Sequence, residues 1–337
     1  MTSNTSDALP ISGIGSLPHH NVDAALEYSF RFDIPFFPQI PLRNPNEYML
    51  PQALHGLPGL VNDSEGSVTL DLLAWKSGKD VFSDLLDQGL RNGITKPFEL
   101  STEYASCWKP FLWEIIERKQ PLVKIQIAGP LTCQWALRMS DQTPVFANPD
   151  VASQVLKLVT LRAQSMIETI QKTGAHTIIY LDEPALFALD VKNPKHILAL
   201  GELRLLIGAL KKMGATVGLH CCSNTDWKAV LSLDLDILSL DVALSLDGLT
   251  QHHRELDQFV ADGRRLSLGI VSTNENSEST SADQIAGILR KLPPRALSQA
   301  LLTPACGLAF KAAQECEHIY TVLREYQTTL LRKVIQN

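Results

Sequence analysis

The chain has 337 residues, of which 45% are hydrophobic and 20% are charged, a composition typical of a globular protein with a substantial core. Its formal net charge is −6 and it has no concentrated run of lysine or arginine, so nucleic acid is not an expected partner. No apolar stretch approaches the length of a membrane span, and residues 1–10 lack the pattern of a signal peptide. We therefore predict a cytoplasmic protein that begins with a disordered tail over residues 1–10.

Two short apolar segments open the folded part of the chain. Residues 11–17 contain two glycines and predict a first strand whose backbone a ligand can approach closely. Residues 35–40 predict a second strand. The stretch at about 41–100 is less regular and too long for a normal loop, so we expect an insertion there. It should carry a hairpin and a helix near 81–90, and should shape a pocket.

A helical pattern covers residues 101–119, and beyond it strands and helices alternate regularly. The predicted strands cover residues 122–128, 177–181, 216–220, 236–241, 266–271 and 301–304. The predicted helices cover residues 150–173, 194–213, 225–233, 249–262, 282–292 and 310–335. Eight strands in series predict an α/β fold, a (β/α)8 TIM barrel with an insertion after strand two and a single domain over residues 11–337. A doubly wound open sheet is the alternative.

Several residues with metal-binding side chains follow the ends of the later strands. His220 and Cys222 are two apart, so they can face the same side of a strand. Asp241 ends the next strand and Cys306 follows the last one. Function sits at the carboxyl ends of barrel strands, and zinc binds imidazole, thiolate and carboxylate ligands. These four residues predict a Zn²⁺ site.

The six cysteines also allow other interpretations. Disulfides are disfavoured in a long chain of cytosolic character. Any single cysteine, including Cys222 or Cys306, is more often a buried thiol than a metal ligand. Cys221 should point to the opposite face of its strand from its neighbours, so a structural role fits it better.

Asp182 and Glu183 end the predicted strand 177–181. Two adjacent carboxylates at a barrel mouth can hold a substrate ammonium group or act as acid and base. The alternative is a salt-bridged turn before a helix, where acidic residues are common.

Five motifs occur together in a fixed order along the chain. They are Ile14-Gly15-Ser16-Leu17-Pro18, Gly129-Pro130-Leu131-Thr132, Leu181-Asp182-Glu183-Pro184-Ala185, His220-Cys221-Cys222 and Pro304-Ala305-Cys306-Gly307-Leu308. The set resembles the C-terminal catalytic barrel of cobalamin-independent methionine synthase, within the superfamily that includes uroporphyrinogen decarboxylase. Residues 220–224 also resemble the metal loop of the corrinoid-linked methyltransferases of that superfamily.

The resemblance implies a zinc ion held by His220, Cys222, a carboxylate and Cys306, which activates a thiol for methyl transfer. The family's carboxylate ligand is a glutamate, and Asp241, one methylene shorter, occupies that position. The resemblance further implies that Gly15 and Ser16 hold the carboxylate of a homocysteine-like substrate. Asp182, together with Glu183, would hold its amine.

Two departures from the family pattern concern the methyl donor. A chain of 337 residues has no room for the second barrel that helps the family's full-length enzyme hold folate. Residues 270–275 also lack the histidine that the family carries after its seventh strand. We therefore expect a zinc-dependent thiol methyltransferase. Its donor would be a methylcorrinoid held by a partner corrinoid protein, or an unrelated methyl donor, rather than folate. The alternatives are a metal-independent enzyme similar to uroporphyrinogen decarboxylase and a non-catalytic partner that binds metal or corrinoid.

Overall fold

A curled parallel sheet forms the centre of the computed structural model, which describes residues 9–273 and 280–332. Nine strands occur in these residues: β1 (Leu60–Asn62), β2 (Val68–Leu70), β3 (Leu122–Ala128), β4 (Arg138–Met139), β5 (His176–Asp182), β6 (Thr216–Cys221), β7 (Ile237–Asp241), β8 (Arg265–Val271) and β9 (Leu301–Pro304). Six of them form the central sheet in the order β3-β5-β6-β7-β8-β9, and each pair is parallel. The order follows the chain without the reversal that a doubly wound sheet requires, so that alternative is wrong.

Helices connect the strands and cover the outside of the sheet. In the described residues they are α1 (Val22–Ser29), α2 (Met49–Leu54), α3 (Leu72–Asn92), α4 (Trp108–Glu117), α5 (Pro130–Ala136), α6 (Pro149–Gln171), α7 (Pro194–Lys212), α8 (Trp227–Leu231), α9 (Val242–Thr250), α10 (His253–Ala261), α11 (Ala282–Leu289), α12 (Pro294–Ser298) and α13 (Ala313–Leu330). The predicted α/β architecture is confirmed. None of the helices in these residues is both long and apolar enough to cross a membrane.

The first two predicted strands differ most from the prediction. Instead of regular strands, residues 11–16 and 36–39 form isolated parallel bridges, which pair Ile11 with Leu302, Ser16 with Gln39, and Phe36 with Lys124. The central sheet therefore has six strands where a regular eight-stranded barrel was expected. The second segment is interrupted by prolines, which have no N–H group to donate to a ladder, and the first contains two glycines.

The predicted insertion has its own small sheet. Strands β1 and β2 form the expected antiparallel hairpin, and β2 also pairs in parallel with β4. Helix α3 is longer than expected, because Asp71 caps its first turn and Gly93, at φ 64°, ends it in the left-handed conformation. Four residues of the insertion line a cavity at the carboxyl ends of β5 and β6, and they are Pro41, Glu47, Tyr48 and Met49.

Parts of three predicted segments lie outside the described residues. They are residues 1–8 of the expected tail, residues 274–275 after the seventh predicted strand, and residues 333–335 of the last predicted helix. Leu9 is fully buried, and the Pro10 carbonyl accepts a hydrogen bond from Leu302 N–H.

The space inside the curled sheet has an apolar base and a polar upper part. A separate cluster of Ile34, Ile178, Tyr180, Ile237 and Leu301 fills the base. Above it are buried polar side chains, which are Ser12, Lys124, Gln126, Ser239, Ser267 and Thr303. Polar side chains therefore line the approach from the base to the carboxyl ends of the strands.

The Tyr180 ring requires glycine at position 218 on the neighbouring strand. A Cβ atom on Gly218 would lie 2.5 Å from the ring. We expect Gly218→Ala to lower the free energy of unfolding by about 1–3 kcal/mol, as overpacked cores do, and urea denaturation would measure the change. Gly208→Ala in α7 is the matched control, because a Cβ there would meet nothing within 4 Å. Equal losses of stability in the two variants would contradict this interpretation.

Candidate metal centre

His220 lies at the carboxyl end of β6, where the sheet fixes its orientation. The residue is 3% exposed and pairs in register with Ser239 on β7. Its Nδ1 atom lies 3.0 Å from the Ser239 hydroxyl. Its Nε2 atom is buried and has no hydrogen-bond partner among the described residues. A buried polar atom without a partner is costly, and metal-binding histidines are oriented in this way through their other nitrogen.

Two thiols converge on this imidazole. Cys222 follows β6, and Cys306 follows β9, at the far edge of the same sheet. A ring nitrogen of His220 and the two Sγ atoms all lie within 4.8 Å of one another. This group can hold a metal ion. Its donors are one imidazole and two thiols, a set that suits zinc and leaves a coordination position open for a further ligand.

The pKa values of the two thiols are shifted in opposite directions. A hydrogen bond from Cys222, with a further contribution from His220, lowers the pKa of Cys306 to about 4 against the opposing effect of burial. The same contact with Cys306, followed by burial, raises the pKa of Cys222. The directions of these shifts favour Cys306 as the thiolate of the pair, and thiolate is the form that binds metal.

Asp241 lies close to this group but uses one oxygen elsewhere. It ends β7 and caps α9, where its Oδ1 accepts hydrogen bonds from Ala243 N–H at 2.8 Å and Leu244 N–H at 3.3 Å. Burial raises the pKa of Asp241 against these hydrogen bonds, and the charge on Cys306 raises it further. Asp241 does not belong to the group within 4.8 Å, which contains His220, Cys222 and Cys306.

The adjacent carboxylates Asp182 and Glu183 point to different places. Asp182 lines the cavity above the cysteines, and its buried Oδ1 has no hydrogen-bond partner among the described residues. Burial raises the pKa of Asp182 to about 6, against the charges of His220 and Lys124. Asp182 is thus an acceptor placed where a ligand can reach it.

Glu183 is turned towards α5 instead. Its carboxylate accepts hydrogen bonds from Leu131 N–H at 3.0 Å and from both Thr132 N–H and the Thr132 hydroxyl at 2.6 Å. Gly129 makes room for it, since a Cβ there would lie 2.1 Å from Glu183 Oε1. The observed role of this carboxylate is to bind the first turn of α5, and it does not line the cavity.

Ser16 forms part of the cavity wall beside the metal-binding group, and Gly15 precedes it in the chain. Ser16 lines the cavity, and its carbonyl accepts a hydrogen bond of 2.8 Å from Leu308 N–H in the loop after β9. That loop approaches so closely that a Cβ on Gly307 would lie 2.1 Å from Ser16 Oγ. The Gly15 carbonyl accepts a hydrogen bond from Gln39 N–H. The first and last parts of the folded chain thus meet next to Cys306.

The cavity itself has a volume of about 270 Å³. Its polar side contains the metal-binding group, Asp182, Ser16 and Gln39, whereas the remaining wall is mostly apolar. No sequence pattern indicated that Tyr48, Met49 and Phe310 lie at the rim of the cavity. Phe310 was expected to begin the last helix, but it precedes α13, is 78% exposed and stacks on Tyr48. Neither aromatic residue stands out by spacing or motif.

Comparison with known proteins agrees with this architecture. The chain is similar to a methyltransferase from Methanosarcina mazei, with a TM-score of 0.59 and 15% identity over 95% of this chain and 94% of that chain. It is also similar to a B12-independent methionine synthase from Shewanella sp. W3-18-1 in complex with selenomethionine, with a TM-score of 0.47 and 15% identity over 66% of this chain and 67% of that chain. No protein-family profile and no curated protein matches the sequence. At this identity, the likeness to the first structure shows the fold.

The contact between Ser239 and His220 leads to a prediction about metal affinity. Ser239→Ala removes the group that orients the imidazole, so the Zn²⁺ dissociation constant should rise by about 10- to 100-fold. Competition with a chromophoric chelator would measure it. Ser267→Ala, the in-register neighbour of Ser239 on β8, is the control and should bind Zn²⁺ as the wild type does. The orienting role is wrong if both variants bind Zn²⁺ with unchanged affinity.

Proposed function

We propose that this protein is a zinc-dependent methyltransferase that activates a thiol acceptor similar to homocysteine. The observation that carries the proposal is the group of His220, Cys222 and Cys306, with an unpartnered imidazole nitrogen, at the polar side of a ligand-sized cavity. The methyltransferase from Methanosarcina mazei, which has the same fold, supports the reaction class. We also infer that the first two segments correspond to the missing strands of a (β/α)8 barrel.

His220, Cys222 and Cys306 would hold the zinc ion, and the unused oxygen of Asp241 is the candidate for a fourth ligand. Zinc, when bound, lowers the pKa of a coordinated thiol, so that a thiolate nucleophile is available near neutral pH. Asp182 would bind the acceptor's amine through its free Oδ1. The backbone at Gly15 and Ser16 would bind the acceptor's carboxylate. Glu183 would support the site by holding α5 in place.

The methyl donor enters through the apolar rim. We propose a methylcorrinoid carried by a partner protein rather than folate. Among the described residues that line the cavity, none is a lysine or arginine, which an anionic folate tail would need. The same fact disfavours the alternative of an enzyme similar to uroporphyrinogen decarboxylase, which must hold an acidic macrocycle. The remaining alternative is a non-catalytic partner that binds metal or corrinoid.

We also infer that residues 11–337 form one domain and that the protein acts in the cytoplasm. All six cysteines lie in the described part of the chain, and all are free thiols. Free thiols are typical of a reducing compartment.

The zinc content of the purified protein tests the metal site. Protein purified without added zinc should contain about one zinc ion per chain, as a catalytic site of this type does. Cys222→Ser and Cys306→Ser should each lose the metal while keeping their circular dichroism spectrum. Cys221→Ser and Cys316→Ser, which alter buried thiols outside the group, should retain it. Wild-type protein that is folded and free of metal would overturn the proposal.

Binding of a thiol tests the acceptor. Homocysteine should add a sulfur ligand to the bound zinc, which X-ray absorption at the zinc edge would detect. Asp182→Asn should weaken homocysteine binding by about 10-fold, equivalent to roughly 1.4 kcal/mol, because a charge-assisted hydrogen bond to the amine is lost. The matched control ligand is 4-mercaptobutyrate, which has the same thiol and carboxylate but no amine. It should bind the wild type and Asp182→Asn with equal affinity.

Two results would count against these assignments. If Asp182→Asn weakened the binding of homocysteine and of 4-mercaptobutyrate equally, Asp182 would act on the metal-binding group and not on the amine. Failure of every thiol to add a sulfur ligand in the wild type would favour the non-catalytic partner.

A further inference from the structure

One wall of the cavity lacks the hydrogen bonds of a regular sheet. Residues 14–16 and 39 belong to the two segments that form only isolated bridges, yet Ile14, Ser16 and Gln39 all line the cavity. A strand in a ladder is held at every second residue by paired backbone hydrogen bonds. Isolated backbone hydrogen bonds hold Gly15, Ser16 and Gln39. Among the described residues, no backbone N–H donates to the Ile14 carbonyl, so a side chain has to bind it.

Lys124 on β3 provides that interaction from inside the sheet. Its side chain is 0% exposed, and its ammonium Nζ donates to the Ile14 carbonyl at 2.7 Å and to Gln126 Oε1 at 3.2 Å. The Nζ atom also lies 4.5 Å from the centre of the Tyr180 ring, where a cation–π interaction stabilises it. Burial lowers the pKa of Lys124 to about 8, and the charge on Asp182 opposes this shift and favours the ammonium form.

Gln126 extends this contact to the second segment and to the insertion. Its amide donates to the Phe37 carbonyl at 2.8 Å and to Gln39 Oε1 at 3.3 Å. Gln39 then donates to Gln52 Oε1 at 2.7 Å, and Gln52 donates to the Tyr104 carbonyl at 2.8 Å. A continuous hydrogen-bonded network therefore runs from the buried ammonium through the cavity wall to the insertion.

A charged donor suits this position better than a neutral one. Hydrogen bonds to a charged group contribute roughly twice as much to stability as neutral ones. A buried ammonium is also costly unless it is well partnered, so its retention in the interior calls for a specific role. The two oxygen atoms that accept hydrogen bonds from Lys124 belong to Ile14, which lines the cavity, and to Gln126, whose amide donates to Gln39 in the same wall.

We propose that Lys124 is a positioning residue, whose buried ammonium holds the wall at residues 14–16 in the arrangement that receives the acceptor. The inference rests on the proposed function only where it names the acceptor. Lys124 itself does not line the cavity and touches no reacting atom. It acts through the Ile14 carbonyl and, by way of Gln126, through the backbone at Phe37.

Lys124→Met, which keeps the length of the side chain and removes the ammonium, is the principal test. Hydrogen–deuterium exchange of metal-free protein should become about 10- to 100-fold faster in peptides that cover residues 11–17 and 36–40. The dissociation constant of homocysteine for the zinc-loaded protein should rise by about 10-fold or more. The zinc content should stay at the wild-type value.

Two further variants separate positioning from general loss of stability. Gln126→Leu breaks the same network without burying or removing a charge, and should show the same pattern with a smaller amplitude. It also keeps the test open if Lys124→Met does not fold. Leu256→Ala in α10 is destabilised at a buried site outside the cavity, and should change neither the thiol affinity nor the relative exchange of the two segments.

Each outcome decides the inference. Wild-type exchange and wild-type thiol affinity in both network variants would overturn it. Faster exchange with unchanged thiol affinity would assign Lys124 a purely structural role and would also overturn it. If no thiol binds the wild-type protein, the proposed function fails, and the exchange data alone decide whether Lys124 holds the wall.

Discussion

The in-register pairing of three parallel strands is the constraint on which the site depends. Asp182 on β5 lies beside His220 on β6, and His220 lies beside Ser239 on β7. A carboxylate, an imidazole and a hydroxyl therefore share one level of the sheet. Slipping a strand by one residue would turn these side chains to the opposite face, where Cys221 is buried. The backbone hydrogen bonds of the sheet therefore fix the orientation of the imidazole.

The rest of the site is completed by chain segments that lie far apart in sequence. Cys306 comes after the last strand and reaches Cys222 because β9 and β6 belong to the same curled sheet. The loop that carries Cys306 in turn contacts Ser16 near the start of the chain. The thiols of Cys222 and Cys306 and the carboxylate of Asp182 line one side of the cavity. Lys124 is fully buried inside the sheet. This arrangement places a positively charged group close to the cavity without exposing it to the cavity.

Much of the architecture could be predicted because short apolar runs and helical periods alternate along the chain. The predicted strand 122–128 agrees with β3 at both ends, and strand 216–220 differs from β6 by one residue. The first two segments do not form the predicted strands, because the second contains prolines, which remove ladder donors, and the first contains two glycines. Helix α9 was missed, since its start depends on Asp241 acting as a cap directly after a strand. A local sequence pattern does not show which of two possible roles a residue takes in the folded protein.

By itself, the sequence determined the parallel α/β class, the spacing of His220 and Cys222, and the presence of Asp182 and Cys306 after later strands. These features depend on local periodicity and on chain order, which a sequence contains. Only the tertiary structure decided that Glu183 faces α5, that Asp241 shares its carboxylate with a helix, and that Tyr48 and Phe310 form the rim. The same holds for Lys124, whose role depends on which carbonyls lie within reach of its ammonium inside the sheet. The contact between Glu183 and Thr132 spans 51 positions of the chain, and the contact between Lys124 and Ile14 spans 110, so no local pattern encodes them.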